Sequence, residues 1–211
     1  MREWQGPLVF PNPNAPTGLA IDSGQVEAIL ASSPDRLVVI DEAYMGFGAQ
    51  SAAPLITDYD NLIVTRSLSK SHALAGLRVG YALGHPELIE GLRRIKDSFN
   101  SYPLDAIAQR VANAALADSD WESSSQALIA SYRDSLSSDL EALGFTVLPS
   151  QANFVFASHS EASGVSLTRA LKADGILVRS WDNDRLRAWV RITVGTPEQQ
   201  ARLVESLSRI V

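Results

Sequence analysis

Hydrophobic residues near the start of the chain fall in three short runs bounded by prolines and polar residues, at 8–10, 37–40 and 61–65. Such runs are typical of strands buried on both faces of a sheet. Between the first two runs, Asp22 and Ser23 can cap a helix that continues to about Ser32 and ends at Ser33-Pro34. Strands that alternate with helices predict an α/β fold with a mostly parallel sheet and helices on both sides.

From about Tyr102 the pattern changes to long helical periodicity, followed by short strands mixed with helices. The periodicity predicts helical structure over 104–143, 163–173 and from Pro197 onward, and strands over 145–148, 153–156, 176–179 and 188–193. These elements indicate a smaller α+β domain beside the first. We therefore predict two domains, 1–101 and 102–211, with the boundary near Ser101-Tyr102-Pro103.

The composition of the 211 residues is that of a globular protein, with 45% hydrophobic and 20% charged residues and a net charge of −6. The acidic balance and the absence of a basic cluster argue against a nucleic-acid partner. No aliphatic run approaches the roughly 20 residues that span a bilayer, so we expect no membrane association. With no cysteine and no export signal at the start of the chain, a cytoplasmic location is predicted.

Metal binding is not indicated by the sequence. The absence of cysteine excludes thiolate zinc sites and iron–sulfur clusters. The three histidines are not spaced as metal ligands, and we interpret them as structural or surface residues. The four tryptophans are scattered along the chain, and we interpret them as packing residues.

Polar side chains follow each of the three predicted strands. Asn12 follows the first strand, the segment 41–44 the second, and the segment 67–70 the third. Ligands of open α/β sheets bind beyond the carboxyl ends of the strands. The three clusters therefore predict one binding site at this edge of the sheet.

The segment from Ser67 to Arg78 indicates a phosphate-bearing aldehyde as the ligand. The hydroxyls of Ser67 and Ser69 can donate to a phosphate, and the guanidinium of Arg78 can make a bidentate contact with it. Lys70 lies between these groups, where partial desolvation and the nearby Arg78 would favour the neutral, nucleophilic amine. Pyridoxal 5′-phosphate carries both the phosphate and the aldehyde that these residues would bind. The alternative, a solvated lysine and a surface arginine, remains open on these residues alone.

The acidic end of the second strand is consistent with the same cofactor. Asp41 is placed where a carboxylate can pair with a pyridinium nitrogen, which makes the ring an electron sink. Tyr44 and Asn12 could donate to the phenolic oxygen of the ring. The competing interpretation of Asp41 is a helix N-cap, a common role for an aspartate at the end of a strand.

These motifs resemble, in order and spacing, the fold-type-I pyridoxal-phosphate aminotransferases, and among them the histidinol-phosphate aminotransferases. The resemblance extends from about residue 8 to residue 196. The matching segments are Asn12-Pro13-Asn14-Ala15-Pro16-Thr17-Gly18, Asp41-Glu42-Ala43-Tyr44, Ser67-Leu68-Ser69-Lys70, Leu74-Ala75-Gly76-Leu77-Arg78, Ala152-Asn153-Phe154, Gly175-Ile176-Leu177-Val178-Arg179 and Arg191-Ile192-Thr193-Val194-Gly195-Thr196.

The resemblance implies a role for each matching residue. Lys70 is similar to the lysine that forms the Schiff base, and Asp41 and Tyr44 complete the implied catalytic set. Asn12, Ser67, Ser69 and Arg78 are implied cofactor ligands, whereas Arg179, Arg191 and Asn153 are implied substrate-binding residues. The implied substrates are histidinol phosphate or a related amino donor and a 2-oxo acid such as 2-oxoglutarate. A homodimer or a larger assembly is also implied.

Family members carry a long segment ahead of the loop that begins at Asn12, but here only eleven residues precede it. The chain is therefore expected to be the C-terminal part of the cofactor-binding large domain (1–101) with the small domain (102–211). An incomplete sheet would expose edges and apolar surface, which favours self-association. Three alternatives to this function remain: an inactive fragment that only self-associates, an aromatic aminotransferase, and an amino-acid-phosphate decarboxylase.

Overall fold

The structure, a computed structural model, describes residues 6–100 and 102–211. It divides into two compact units. The first contains the described residues through Pro13 together with 20–124, and the second contains 14–19 and 125–211. Ser101 lies outside the described residues, and the domain boundary at 101/102 stays a prediction.

A four-stranded sheet forms the centre of the first unit. Its strands are β1 (Leu8–Pro11), β2 (Val38–Asp41), β3 (Leu62–Ser67) and β4 (Gly80–Gly84). The strand order is β1-β2-β3-β4, with the first three parallel and β4 antiparallel to β3. The predicted parallel strands are confirmed, whereas β4 gave no strand signal. Glycine is favoured at both ends of β4 by the close approach of β3, because a Cβ at Gly80 or Gly84 would lie 2.9 Å from a carbonyl oxygen of that strand.

Over residues 6–100 and 102–124, the first unit contains four α-helices and the beginning of a fifth. These are α1 (Ser23–Ser32), α2 (Leu68–Ser71), α3 (Pro86–Phe99), α4 (Ala106–Ala117) and α5 (Ser119–Ala142). Helix α1 begins as predicted, at an Asp22 N-cap that forms a capping box with Gln25. Its Val26 and Leu30 are buried in a core with residues of β2 and β3. This core holds the strands in register.

Helix α3 has an apolar face that the first unit does not bury. None of its residues is buried. The apolar side chains recur at helical spacing, and Leu92, Ile95 and Phe99 are 41%, 61% and 78% exposed. A contiguous apolar face of this kind marks an interaction surface in folded proteins.

The second unit is an antiparallel sheet covered by helices on one face. It contains the rest of α5, β5 (Thr146–Val147), β6 (Phe154–Ser158), α6 (Gly164–Ala173), β7 (Arg179–Ser180), β8 (Trp189–Thr193) and α7 (Pro197–Ser208). The sheet order is β5-β6-β8-β7. Leucines of α5, α6 and α7 pack with Val155, Ala157, Val190 and Ile192 on one sheet face. The predicted α+β unit is confirmed.

The strand predicted over 176–179 is wrong for most of its length, because strand pairing covers only Arg179–Ser180. Gly175 has a positive φ of 76°, and the amide of Ile176 donates to the carbonyl of Leu171 at the end of α6. This segment therefore closes the helix. Ile176 and Val178 still pack against the core, which accounts for their apolar character.

The loop at 14–19 is held within the second unit by Gly18. This glycine has a φ of +78°, and a Cβ added there would collide with the side chain of Ser150. The carbonyl of Gly18 accepts a hydrogen bond from the amide of Gln151 at 2.8 Å. The close backbone approach thus requires glycine. Among the described residues, no helix combines the length and apolar character needed to cross a bilayer.

Candidate active site

The register of the parallel strands places the predicted polar clusters along one edge of the first sheet. Pro11, Asp41 and Thr65 are neighbouring register positions on β1, β2 and β3. Just beyond them, the Asn12 amide donates to the Asp41 carbonyl at 3.0 Å, and the Glu42 amide donates to the Thr65 carbonyl at 2.8 Å. The three strand ends are therefore joined at the same level.

Asp41 presents an exposed carboxylate at this edge. Its Oδ1 accepts hydrogen bonds from the Ala43 amide at 3.0 Å and from the Thr65 hydroxyl at 3.3 Å. The bond to Ala43 belongs to a turn, and no helix of the described residues begins at Asp41, so the competing interpretation of this residue as a helix N-cap is wrong. Both contacts use Oδ1, so the carboxylate is oriented and Oδ2 remains for a ligand.

Asn12 has a structural role in addition to its position at the edge. The residue is 2% exposed. Its side-chain oxygen accepts from the Ile21 amide at 3.0 Å, and its Nδ2 donates to the Ile21 carbonyl at 3.1 Å. One N–H of the amide is left for a ligand. Tyr44 lies half-buried in the turn that follows Asp41.

Strand β3 leads directly into the short helix α2, which carries Lys70. The Oγ of Ser67 accepts a hydrogen bond from the Ser69 amide at 3.1 Å and so caps the helix. The Ser67 O–H is thereby free to donate outward. Lys70 is exposed, since α2 is a single turn at the sheet edge. The predicted partial desolvation of this amine is therefore wrong for the described residues.

The segment after α2 returns the chain to β4 and brings Arg78 back toward the helix. The Leu68 amide donates to the Val79 carbonyl at 3.1 Å. Ala73 and Arg78 both have positive φ values, 55° and 57°, which cost side-chain-bearing residues about 1–3 kcal/mol each. The exposed Arg78 donates from Nη1 to the Ala75 carbonyl at 3.0 Å. Strained backbone thus holds Arg78 near the start of α2.

In the second unit, Arg179 and Arg191 are register partners on β7 and β8. The Arg191 Cζ lies 5.0 Å from the ring centroid of Phe154 and 5.8 Å from that of Trp181, and the Arg179 Cζ lies 5.6 Å from the latter. Within the described ranges, neither guanidinium has a carboxylate within 4.0 Å. Opposed like charges are unfavourable, so this pair is suited to an anion.

Two further residues of the second unit bear on this pair. Trp181 was interpreted as a packing residue, but its ring also supports both guanidinium groups. The sequence signal that could have indicated this contact is the position of Trp181, two residues after Arg179. Asn153 is half-buried just before β6, and its carbonyl accepts from the Val194 amide at 3.0 Å. This bond fixes Asn153 beside the end of β8.

An ion pair that the sequence did not predict joins the buried Glu42 to the partly buried Arg66. A distance of 2.9 Å separates the Glu42 Oε2 from the Arg66 Nη2, and the Glu42 side chain is fully buried. Burial lowers the pKa of Arg66, but the charge of Glu42 and hydrogen bonds with Tyr81 and Glu42 raise it by more, so the net shift is upward. The sequence showed only that Glu42 follows Asp41.

Comparison with known proteins places the whole arrangement in a family. The family model of class I and II aminotransferases matches residues 5–207 of the chain. The chain belongs to this family. The fold of both units agrees with that assignment.

Curated relatives of this aminotransferase chain include two bacterial enzymes. The histidinol-phosphate aminotransferase of Gluconacetobacter diazotrophicus is 55% identical over 204 residues, which cover 97% of this chain and 57% of the relative. Histidinol-phosphate aminotransferase 1 of Bradyrhizobium diazoefficiens is 54% identical over 204 residues, covering 97% and 58%. The chain thus spans less than two thirds of the length of these relatives.

Solved aminotransferase structures share this fold. The histidinol-phosphate aminotransferase of Sinorhizobium meliloti in complex with pyridoxal-5′-phosphate superposes with a TM-score of 0.84 at 28% identity, covering 96% of this chain and 56% of that one. The histidinol-phosphate aminotransferase of Clostridium acetobutylicum gives a TM-score of 0.86 at 24% identity, covering 96% and 63%. At 24% identity, the similarity to the Clostridium acetobutylicum structure is evidence for the fold alone.

Proposed function

We propose that this chain carries the cofactor-binding residues of a pyridoxal-phosphate-dependent aminotransferase. The amino donor is histidinol phosphate or a related phosphorylated amine, and the acceptor is a 2-oxo acid such as 2-oxoglutarate. The observation that carries the proposal is the placement of an exposed amine, Lys70, and an oriented carboxylate, Asp41, at one edge of the sheet. Identity of 55% to a histidinol-phosphate aminotransferase supports the donor class.

The donor set at this edge fits pyridoxal phosphate. An amine can condense with the aldehyde, a carboxylate with an available oxygen can accept from the ring nitrogen, and hydroxyl and guanidinium groups can donate to the phosphate. When bound, this cofactor supplies an electron sink for the charge that develops when a substrate proton is removed. In this proposal Ser67, Ser69 and Arg78 hold the phosphate, and Asn12 and Tyr44 hold the phenolic oxygen.

Two side chains then perform the proton chemistry. Lys70 Nζ would hold the aldehyde of the cofactor, and as a free amine it would act as the general base toward the α-carbon proton of the substrate. Asp41, whose Oδ1 is held by Thr65 and Ala43, would favour the protonated form of the ring nitrogen. Exposure of Lys70 matters here because a substrate amine must reach the same position.

The arginine pair of the second unit accounts for the anionic part of the substrate in this proposal. A phosphate monoester carries up to two negative charges, which match the two guanidinium groups of Arg179 and Arg191. The ring of Trp181 lies within 6 Å of both guanidinium carbons and favours the positive charge of each group. We assign to Asn153 the role of ordering the loop beside these two arginines.

The proposal is tested by trapping the cofactor on the chain. After incubation with pyridoxal phosphate and reduction with borohydride, peptide mapping is expected to show the pyridoxyl group on Lys70. The other lysines, Lys96 and Lys172, serve as internal controls because both lie within helices and neither follows a strand directly. Equal labelling of all three lysines, or none of Lys70, would contradict the assignment and favour a fragment without catalytic function.

We further propose that the chain assembles with itself as a homodimer or larger, in the cytoplasm. The exposed apolar face of α3 supports self-association. Light scattering is expected to show a mass above that of one chain, which Phe99→Glu lowers and Arg93→Glu, on the same helix, does not. A monomer at all concentrations would contradict this part of the proposal.

A further inference from the structure

An ion pair between the buried Glu42 and the partly buried Arg66 lies at the strand ends that carry the proposed site. Glu42 immediately follows Asp41, and Arg66 immediately precedes Ser67. Side chains alternate between the two faces of an extended chain. The bond from Thr65 to Asp41 therefore lies on one face, and the pair of Glu42 with Arg66 lies on the other.

The buried carboxylate of Glu42 is satisfied by donors from two separate parts of the chain. Its Oε1 accepts from the Ala52 amide at 2.6 Å, and its Oε2 accepts from the Ser51 hydroxyl at 2.8 Å and the Arg66 Nε at 2.9 Å. The Arg66 Nη2 also donates to the Ser51 hydroxyl at 2.6 Å. A buried charge with this many donors has one favourable orientation, because leaving any of them unpaired is costly.

The same ion pair reaches a third strand. Arg66 is the register partner of Tyr81 on β4, and the Tyr81 side chain contributes to the raised pKa of Arg66. Side-chain bonds therefore join the end of β2 to β3, and strand pairing joins β3 to β4, at the level where the proposed ligands begin. The neighbouring register pair, Ser67 with Gly80, is the point at which β3 turns into α2.

We infer that Glu42 and Arg66 are positioning residues, which fix Asp41 relative to Ser67 and the helix that carries Lys70. The chemical roles of Asp41, Ser67 and Lys70 rest on the proposed function. The fixing of the strand ends is a property of the chain without cofactor, and so it can be tested separately.

The first experiment compares hydrogen exchange of the cofactor-free wild-type chain with that of the double variant Glu42→Met/Arg66→Met. Replacing both partners with apolar residues of similar length avoids a lone buried charge and often preserves stability. Amides whose bonds define the strand ends are expected to lose protection by at least about tenfold, with amides inside the strands unchanged. The reporter amides are those of Asn12, Ala43 and Ser69, and the internal reference is that of Val64.

A matched control separates positioning from general loss of stability. Leu30→Ala removes a fully buried side chain from the core of the same unit without touching either member of the pair. Leu30→Ala is expected to speed hydrogen exchange in the core strands, because it makes global unfolding more frequent. It is not expected to speed exchange selectively at the strand ends. Should the double variant fail to fold, Arg66→Lys retains the charge but loses the two-nitrogen contact, and the same selective loss is expected. Wild-type protection at the reporter amides would overturn the inference.

The second experiment adds pyridoxal phosphate and borohydride and measures the share of bound cofactor captured on Lys70. The double variant is expected to capture at least about tenfold less than Leu30→Ala, since misplaced reacting groups lose rate steeply. Equal capture would overturn the positioning role. If the wild-type chain captures none, the proposed function fails, while the exchange experiment still decides whether the ion pair fixes the strand ends.

Discussion

Arg179 and Arg191 are opposite each other on β7 and β8, and the Cζ atoms of both lie within 6 Å of the ring centroid of Trp181. The repulsion between the two guanidinium groups is not relieved by a carboxylate of the described residues. An anion that binds between them gains two charge-assisted contacts and removes this repulsion at the same time. The pair is therefore the part of the second unit on which anion recognition is expected to depend.

Replacing Arg179 with methionine is expected to weaken the affinity of the chain for inorganic phosphate by about 10- to 100-fold, the loss of one charge-assisted contact. Isothermal titration with phosphate measures this change. Stability in urea is expected to stay the same, because Arg179 is exposed and its removal relieves repulsion. Arg185→Met, at another exposed arginine of the same unit, is the matched control. Equal phosphate affinity of the two variants would contradict the assignment.

Replacing Lys70 with alanine is expected to abolish transamination without affecting folding. The side chain is exposed, so the free energy of unfolding should change by no more than about 0.5 kcal/mol. Urea unfolding and an amino-transfer assay on the same preparations measure the two effects. Lys96→Ala should leave both quantities unchanged, and turnover by Lys70→Ala at the wild-type rate would refute the role of this amine.

Replacing Asp41 with asparagine is expected to lower turnover strongly while the chain still captures cofactor. The amide keeps an oxygen for the bonds from Ala43 and Thr65 but cannot hold a positive charge on the ring nitrogen. Turnover and borohydride capture separate the two steps. Asp58→Asn removes an exposed carboxylate elsewhere in the same unit and serves as the control. Wild-type turnover in Asp41→Asn would exclude this role.

Replacing Gly18 with alanine is expected to destabilise the second unit by more than about 1 kcal/mol. The positive φ disfavours a Cβ, and the added atom would meet Ser150. The control is Gly91→Ala, where a Cβ meets nothing within 4 Å on helix α3 and is expected to stabilise by up to about 1 kcal/mol. Urea midpoints of the two variants should therefore move in opposite directions, and a shift in the same direction would disprove the steric argument.

Stability is also expected to depend on Asp174 at acidic pH. Hydrogen bonds from Ser206 and Arg209 lower the pKa of Asp174 below its ordinary value of 3.8. A carboxylate with a lowered folded-state pKa stabilises the fold above the ordinary value, and this contribution is lost as the pH falls through the lowered one. Urea unfolding at a series of pH values below about 4 should show a smaller decrease for Asp174→Asn than for wild type. Identical slopes would show that the bonds are not maintained in solution.

The elements predicted correctly from the sequence are those whose signal is local. The run at 37–40 and the Asp22 cap specify β2 and α1 through their own residues, and neither depends on a distant partner. Strand β4 escaped prediction because its glycines are selected by close backbone approach to β3, which no local pattern reveals.

The sequence predicted which residue types lie at the site, but it did not predict how buried or exposed each of them is. The order of Asp41 and Lys70 after their strands follows from chain direction in a parallel sheet. Burial depends on what packs around a residue, so the exposure of Lys70 and the burial of Glu42 could not be anticipated. The support of Arg179 by Trp181 likewise requires the path of the chain after β7.

The proline residues around β1 limit how the first sheet can be extended. This four-residue strand is at the rim of the sheet, and Val9 within it is 65% exposed. Proline has no N–H, so Pro7 and Pro11 cannot donate to an incoming polypeptide. Of the residues between them, Leu8 already donates its amide to the Leu37 carbonyl at 2.9 Å, on the side of the strand that faces β2. Extension of the sheet at this rim would therefore gain few main-chain bonds and would rely on side-chain packing for its affinity.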